Sequence, residues 1–144
     1  MAFENPSREE IKRILEETNT IAVVGLSDNP QRTSYMVSEA MKAKGYRIIP
    51  VNPNADTILG EKSYASLKDI PEKIDLVNVF RRSEHTPPIA EEAVAIGAKT
   101  IWLQLGVQSE EAAEIAGRGG LQVIMDRCIK VEDSILLPQG KSKS

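Results

Sequence analysis

The chain has 144 residues and a mass of 15.8 kDa, which is the size of one average domain with a single hydrophobic core. Its 18 basic and 21 acidic residues give a net charge of −3, which disfavours non-specific binding to nucleic acids or anionic membranes. One cysteine and one histidine exclude an internal disulfide and a structural zinc site with Cys and His ligands. No apolar run has the length of a membrane span or the pattern of an export signal, so we expect a cytoplasmic protein.

A helix and a buried strand open the predicted order of elements. Ser7, followed three residues later by Glu10, has the pattern of a capping box. The helix that it begins ends near Glu17 and has an apolar face formed by Ile11, Ile14 and Leu15. Residues 21–25 (IAVVG) are apolar throughout, which is typical of a central parallel strand covered on both faces.

A second helix and a second strand follow. Residues 33–44 have helical spacing, and Gly45 is the predicted stop. The apolar face predicted for this helix consists of Met36, Val37, Ala40 and Met41. Residues 46–51 (YRIIPV) form the second predicted strand. Because Pro50 has no N–H to donate to a neighbouring strand, we expect the pairing to end there.

The rest of the chain alternates short apolar runs with amphipathic segments. A weak strand near 62–64 and a helical turn near 66–69 precede a strand at 74–80. Thr86 and Pro87 have the pattern of an N-cap and a first helical residue. The remaining predicted elements are a strand at 100–105, a helix from 110 to about 116 that Ser109 caps and the glycines of 117–120 break, a strand at 121–125 and a closing helix or turn at 131–137.

This alternation predicts one α/β domain over residues 1–138, followed by a polar tail at 139–144. We expect a Rossmann-like, doubly wound sheet of five or six mostly parallel strands with helices on both faces. Ligands of such sheets bind beyond the carboxyl ends of the strands. The candidate site segments are therefore the loops at 25–34 (GLSDNPQRTS), 52–55 (NPNA), 81–85 (RRSEH) and 104–106 (QLG).

The first loop begins like a dinucleotide-binding turn but departs from its glycine pattern. Gly25 is present, whereas Ser27 and Pro30 stand where G-x-G-x-x-G has its second and third glycines. The second strand is followed by Asn52, where an acidic residue would bind the ribose of NAD. Both departures disfavour a standard NAD site. A phosphate site fits better, because Ser27 offers a hydroxyl and Arg32 lies at the start of a helix. The alternative is that Gly25 only permits a tight turn and Arg32 is solvated.

Five segments together carry a family resemblance. They are VVGLSDNPQRTSYMV, YRIIPVNPNA, IDLVNVFRRSEH, AKTIWLQLGV and VIMDRC. In this order, over residues 8 to about 134, the chain resembles the stand-alone CoA-binding domain proteins, which are similar to the N-terminal CoA-binding domain of the succinyl-CoA synthetase alpha subunit. The resemblance implies that coenzyme A or an acyl-CoA binds across the carboxyl edge of the sheet.

The resemblance also implies which residues contact that ligand. The first loop would lie near the phosphates through Gly25, Leu26, Ser27 and Arg32. The second loop would lie beside the ribose and adenine through Val51, Asn52 and Pro53. The third loop would place a side chain against the adenine and a cation at a phosphate through Phe80, Arg81 and Arg82. The fourth loop would lie near the pantetheine path through Trp102, Gln104 and Gly106.

No complete catalytic set and no metal site are predicted. The synthetase subunit carries its phosphorylated histidine in a second domain, and His85 is not its counterpart. Asn29 replaces the last glycine of the nucleophile elbow G-x-S-x-G, and Cys128 is interpreted as a small packing residue. We therefore expect a non-catalytic sensor, carrier or partner protein. Two alternatives stay open: an enzyme that uses NAD(P) or another adenine nucleotide, and a non-catalytic partner subunit of an acyl-CoA ligase. A homodimer or a protein partner is also left open.

Overall fold

The computed structural model describes residues 3–140, so residues 141–144 of the predicted tail lie outside the described part. The helices are α1 (Arg8–Glu17), α2 (Thr33–Ala43), α3 (Thr86–Ala95), α4 (Glu110–Arg118) and α5 (Ile129–Leu136). The strands are β1 (Thr20–Val24), β2 (Arg47–Val51), β3 (Thr57–Ile58), β4 (Glu61–Lys62), β5 (Leu76–Val79), β6 (Thr100–Leu103) and β7 (Gln122–Ile124). Short 3₁₀ turns lie at Leu67–Asp69 and Ser83–His85.

Five strands form one parallel sheet in the order β2-β1-β5-β6-β7. β3 and β4, which have two residues each, form a separate antiparallel hairpin. α3 and α4 pack on one face of the sheet through alanines, and α1, α2 and α5 pack on the other. Alternate strand residues point to opposite faces of the sheet. In β1, Ala22 belongs to the core on the side of α3 and α4, and Val23 belongs to the core on the side of α1, α2 and α5. The predicted doubly wound α/β fold is confirmed.

The predicted N-cap of α1 is confirmed. The Ser7 hydroxyl accepts a hydrogen bond from the backbone N–H of Glu10 at 3.2 Å. Such an N-cap satisfies one of the N–H groups that lack an intrahelical partner. The apolar face of the helix, Ile11, Ile14 and Leu15, is buried.

The expectation that strand pairing ends at Pro50 was wrong. β2 continues through Pro50 to Val51, and Pro50 lies opposite Val23 of β1. β2 is an edge strand, and on its outer side the Pro50 carbonyl accepts a hydrogen bond from the backbone N–H of Tyr64 at 3.1 Å. The missing N–H of Pro50 lies on that same side, because the N–H and C=O of one strand residue point the same way. The proline therefore interrupts no bond to β1.

Three local predictions also need correction. Met36 was placed on the buried face of α2 but is 48% exposed, and that face is formed by Ser34, Val37, Ser38 and Met41. Thr86 is the first residue of α3 and not its N-cap, and its hydroxyl donates to the Ser83 carbonyl at 2.7 Å. α4 runs through Gly117 to Arg118 and does not break at the first glycine.

A buried polar network fixes α5 to the end of α2 and the start of β2. The hydroxyl of Tyr46 donates to Oδ1 of Asp133 at 2.6 Å. Nζ of Lys44 lies 2.9 Å from Oδ2 of the same carboxylate. Burial raises the pKa of the Tyr46 hydroxyl, and the hydrogen bond to Asp133 raises it further. The tyrosine is therefore held as a donor to a buried carboxylate.

Candidate functional site

The strand order places the loops after β1 and β5 side by side. β2, the next strand of the sheet along the chain, lies on one side of β1. The later strands β5, β6 and β7 are added on the other side, so the order of strands reverses at β1. This reversal is the switch point at which open α/β sheets bind ligands. Gly25 follows β1 with a φ of +87°, and a Cβ atom there would lie 2.6 Å from the Phe80 carbonyl oxygen. A residue with a side chain would force the two loops apart.

Hydrogen bonds within the first loop set the position of α2. The Ser27 hydroxyl accepts from the N–H of Asn29 at 3.0 Å, and Oδ1 of Asn29 accepts from the N–H of Gln31 at 2.9 Å. The Ser34 hydroxyl accepts from the N–H of Ser27 at 3.0 Å. Within the described residues, no side chain caps the start of α2, whose N-cap is Arg32. The first turn of α2 therefore keeps N–H groups for an anion, and its dipole favours one.

Asn52 joins the second loop to the first. Its Nδ2 donates to the Leu26 carbonyl at 2.9 Å, and its Oδ1 accepts from the N–H of Asn54 at 2.8 Å. The Asn52 carbonyl accepts from the Ser63 hydroxyl at 3.1 Å. An aspartate at this position could not donate to the Leu26 carbonyl. The amide of Asn52 is therefore needed for the hydrogen bond between the first and second loops.

Two cavities lie along this edge and share Thr33 and Phe80. The first cavity has a volume of about 450 Å³ and is lined by Gly25, Ser27, Arg32, Thr33, Ser34, Asn52 and Phe80. The second cavity has a volume of about 490 Å³ and is lined by Thr33, Phe80, Arg81, Arg82, Gln104, Leu105, Gly106, Val107 and Cys128. These described lining residues include three arginines and no carboxylate, although the whole chain is acidic.

A smaller cavity of about 120 Å³ adjoins the second one. It is lined by Val24, Val51, Ala65, Ser66, Leu67, Arg81, Ile89 and Glu92. Arg81 borders both the second cavity and this smaller one. The three cavities thus follow one another along the carboxyl edge from α2 to α3.

Nine of the 13 residues predicted for the site line the first or second cavity: Gly25, Ser27, Arg32, Asn52, Phe80, Arg81, Arg82, Gln104 and Gly106. Val51 borders the smaller cavity, and Leu26 is buried with its carbonyl on Asn52. Pro53 is exposed and lines none of the three.

Trp102 was expected to contact the ligand together with the fourth loop, but it lies within β6, inside the strand predicted at 100–105, with its side chain fully buried. Its Nε1 donates to the Arg127 carbonyl at 2.9 Å. The indole packs with the core between the sheet and α1, α2 and α5 and does not line the three cavities. Alternate side chains of a strand point to opposite faces, and the position of Trp102 in β6 directs its indole into that core.

Five of the lining residues were not among the 13 predicted site residues: Thr33, Ser34 and Leu105, which lie inside the candidate loops, and Val107 and Cys128, which lie outside them. Thr33 and Ser34 were detectable, because the first residues of a helix after a strand loop face the carboxyl edge. Cys128 was interpreted as packing only. It is half-buried, packs against the core and also lines the second cavity.

Asp126 and Arg127 support the loop after β6. Oδ1 of Asp126 accepts from the N–H of Gly106 at 2.8 Å, and Nη1 of Arg127 donates to the Asp126 carbonyl at 2.9 Å. Oε1 of Gln104 accepts from the N–H of Ile129 at 3.4 Å, at the start of α5. The segment after β7 thus positions the residues that form one wall of the second cavity.

Residues 3–140 contain neither a cluster of metal ligands nor a helix that could span a membrane. Within this range no three His, Cys, Asp or Glu side chains are grouped so that they could hold a metal ion. None of the described helices combines the length and the apolar character needed to cross a membrane.

Comparisons with known proteins agree on one family. Residues 19–134 match a family model described as a CoA binding domain. The uncharacterized protein YneT of Bacillus subtilis (strain 168) is 54% identical over 92% of this chain and 98% of its own length. A structure of a hypothetical protein from Pyrococcus horikoshii OT3 is 35% identical, with a TM-score of 0.89 over 95% of this chain and 99% of that one.

A longer relative is the alpha subunit of acetate–CoA ligase (ADP-forming) II from Pyrococcus furiosus. It is 28% identical over 77% of this chain. The match spans only 27% of the length of that subunit.

Proposed function

The chain belongs to the family of CoA-binding domains, and from that premise we propose that it binds coenzyme A or an acyl-CoA at the carboxyl edge of its sheet. It would do so without a catalytic set of its own, as a sensor, a carrier or a partner of another protein. The observation that carries the proposal is the pair of adjoining cavities lined by three arginines and no carboxylate.

The first cavity suits phosphates. Arg32 and the uncapped first turn of α2 border it together with the Ser27 and Ser34 side chains. An arginine offers paired donors to a phosphate, and a helix N-terminus offers backbone N–H groups with a favourable dipole. Phosphates in this first cavity would thus meet positive groups without a competing carboxylate.

Phe80, Arg81 and Arg82 extend the site beyond the first cavity. Phe80 borders both larger cavities, so its ring can lie against a purine while Arg81 or Arg82 meets a phosphate. Val51 and Arg81 border the smaller cavity, next to Asn52 of the second loop. Gln104 and Gly106 line the second cavity, where the pantetheine arm would run.

Calorimetric titration tests this function. The purified chain, freed of co-purified ligand, is titrated with coenzyme A, acetyl-CoA, NAD, NADP and ADP. We expect saturable binding of coenzyme A that is much tighter than binding of NAD. Tighter binding of NAD or NADP would contradict the proposal and favour an enzyme that uses those nucleotides.

A second candidate is the partner role in an acyl-CoA ligase. It is supported by the match to the Pyrococcus furiosus ligase subunit, of which this chain spans only 27%. In this case a separate chain would supply the catalytic groups. Affinity purification of the tagged chain from its own cells, followed by mass spectrometry, would recover a ligase-type partner in stoichiometric amount. Recovery of the tagged chain alone would count against this candidate.

A further inference from the structure

We propose that Glu92 selects the base of the bound nucleotide by accepting a hydrogen bond from the exocyclic amine of adenine. This inference rests on the proposed function, because it assigns a place to the adenine end of that ligand. The class of base that it names is a purine with an amine, instead of a carbonyl oxygen, on its six-membered ring.

The carboxylate of Glu92 has one buried oxygen that lacks a donor. Glu92 lies in α3 and lines the smaller cavity. Its Oε1 atom is buried and has no hydrogen-bond partner within residues 3–140. Arg81 lines the same cavity, but these two described side chains form no ion pair. A buried acceptor without a donor is costly, so the cavity favours a ligand that brings an N–H group.

The other walls of the smaller cavity suit a flat ring. Among the described lining residues, Arg81 and Ser66 are the only polar ones besides Glu92. The Ser66 hydroxyl donates to Oδ2 of Asp69 at 3.1 Å, so its proton is already used. The remaining lining residues are apolar: Val24, Val51, Ala65, Leu67 and Ile89. An aromatic base can insert its amine-bearing edge between these walls and reach Glu92.

The smaller cavity lies beside the proposed phosphate site but apart from it. Val24 and Val51 border the smaller cavity, and the residues that follow them, Gly25 and Asn52, border the first cavity. A nucleotide with its phosphates in the first cavity can therefore extend its base across the ends of β1 and β2. Glu92 does not line the first cavity, so its charge does not oppose the phosphates there.

The size of the smaller cavity indicates that it takes one end of the ligand. Its volume is about 120 Å³, well below the roughly 300 Å³ at which pockets for whole drug-sized ligands begin. Phe80 precedes Arg81, which borders the smaller cavity. A base that lies against Phe80 can thus turn its amine edge into that cavity.

A carboxylate discriminates between bases because it accepts hydrogen bonds and donates none. Adenine would present an amine to Glu92, whereas hypoxanthine would present a carbonyl oxygen at the same place on the ring. A site that hydrogen-bonds one group rejects the analogue that lacks it. A glutamine at this position could accept from the amine or donate to the carbonyl oxygen, so it should tolerate both bases.

Calorimetric titration with pairs of ligands that differ only in the base tests this assignment. One pair is coenzyme A and deamino coenzyme A, in which hypoxanthine replaces adenine. The other pair is ADP and inosine diphosphate, which lack the pantetheine arm. The wild-type chain is compared with Glu92→Gln and with Glu91→Gln. Glu91 is the matched control, because it precedes Glu92 in α3, is exposed and lines none of the three cavities.

We expect wild type and Glu91→Gln to bind coenzyme A at least about 10-fold more tightly than deamino coenzyme A. In Glu92→Gln this ratio should fall below about threefold, because the amide can pair with either base. Urea denaturation should show Glu92→Gln to be at least as stable as wild type, since a neutral amide replaces a carboxylate whose buried oxygen has no partner.

The outcomes separate the two proposals. If coenzyme A binds but wild type does not discriminate between the bases, or Glu92→Gln leaves the ratio unchanged, the base assignment is overturned and the proposed function stands. If coenzyme A does not bind, the proposed function is overturned, and a preference for ADP over inosine diphosphate that Glu92→Gln removes would still support the base assignment. If ADP and inosine diphosphate then also bind alike, or not at all, both proposals are overturned.

Discussion

Gly25 and Phe80 approach each other so closely that a Cβ atom on Gly25 would lie 2.6 Å from the Phe80 carbonyl oxygen. The contact joins the ends of β1 and β5, the two neighbouring parallel strands between which the order of chain connection reverses. The same two residues line the first cavity. The close approach of the loops and the shape of the site therefore depend on the same glycine.

The first prediction follows from this contact. Gly25→Ala should weaken coenzyme A binding strongly and destabilise the fold. Gly60→Ala is the matched control, because Gly60 also has a positive φ, of +75°, but no described atom lies within 4 Å of its Cβ position. The control should lose about 1–2 kcal/mol for the left-handed backbone. Gly25→Ala should lose about 1–3 kcal/mol more for the overpacking. Urea denaturation measures both, and equal losses would contradict the contact.

Arg81 borders two of the cavities, so the second prediction concerns its charge. Arg81→Ala should weaken coenzyme A binding by about 1–3 kcal/mol through loss of a charge-assisted phosphate contact, with folding nearly unchanged. Arg118→Ala removes the same charge from the last turn of α4, where the side chain is 71% exposed. Calorimetry should show normal affinity for that control. An unchanged affinity of Arg81→Ala would remove Arg81 from the site.

Asn52 allows a third prediction that separates coenzyme A from NAD. Asn52→Asp replaces the donor to the Leu26 carbonyl with a carboxylate that faces the first cavity. Coenzyme A binding should weaken by about 1–3 kcal/mol through lost loop contact and phosphate repulsion. NAD should not gain tight binding, because Ser27 and Pro30 still replace the two glycines.

The matched control for this substitution is Asn54→Asp. It adds the same charge two residues away, at an exposed position that lines none of the three cavities. We expect it to keep most of the coenzyme A affinity in the same titration. Tight NAD binding by Asn52→Asp would show that Ser27 and Pro30, in place of the two glycines, do not prevent NAD binding.

The fourth prediction concerns pH and Tyr46. Its pKa is raised in the folded state, mainly by burial and also by the hydrogen bond to Asp133. Above about pH 10 the unfolded chain ionises this tyrosine while the folded chain keeps its proton. The folded state then binds more protons, so the free energy of unfolding falls as pH rises, by up to about 1.4 kcal/mol per unit.

Tyr46→Phe tests that relationship. At neutral pH the variant should be about 1–3 kcal/mol less stable, because Asp133 loses a hydrogen-bond donor while buried. Above about pH 10 the difference between the two proteins should shrink, since only wild type has the tyrosine to titrate. Denaturation midpoints across this range measure the difference. A difference that is independent of pH would be inconsistent with a raised pKa.

The amino-acid sequence by itself determined the order and type of the main elements. Apolar runs such as 21–25 and the cap at Ser7 are local patterns, and each acts within a few residues of chain. The loops that follow the strands were likewise local features, so Gly25, Arg32, Asn52 and Arg81 could be selected before the fold was known.

Tertiary structure alone decided which of these residues meet. The strand order brings Gly25 to Phe80, the edge position of β2 accommodates Pro50, and the pleat of β6 buries Trp102. It also turns Cys128 into the second cavity, beside residues more than 20 positions earlier in the chain. These facts depend on contacts between segments far apart in sequence, which no local pattern of residues records.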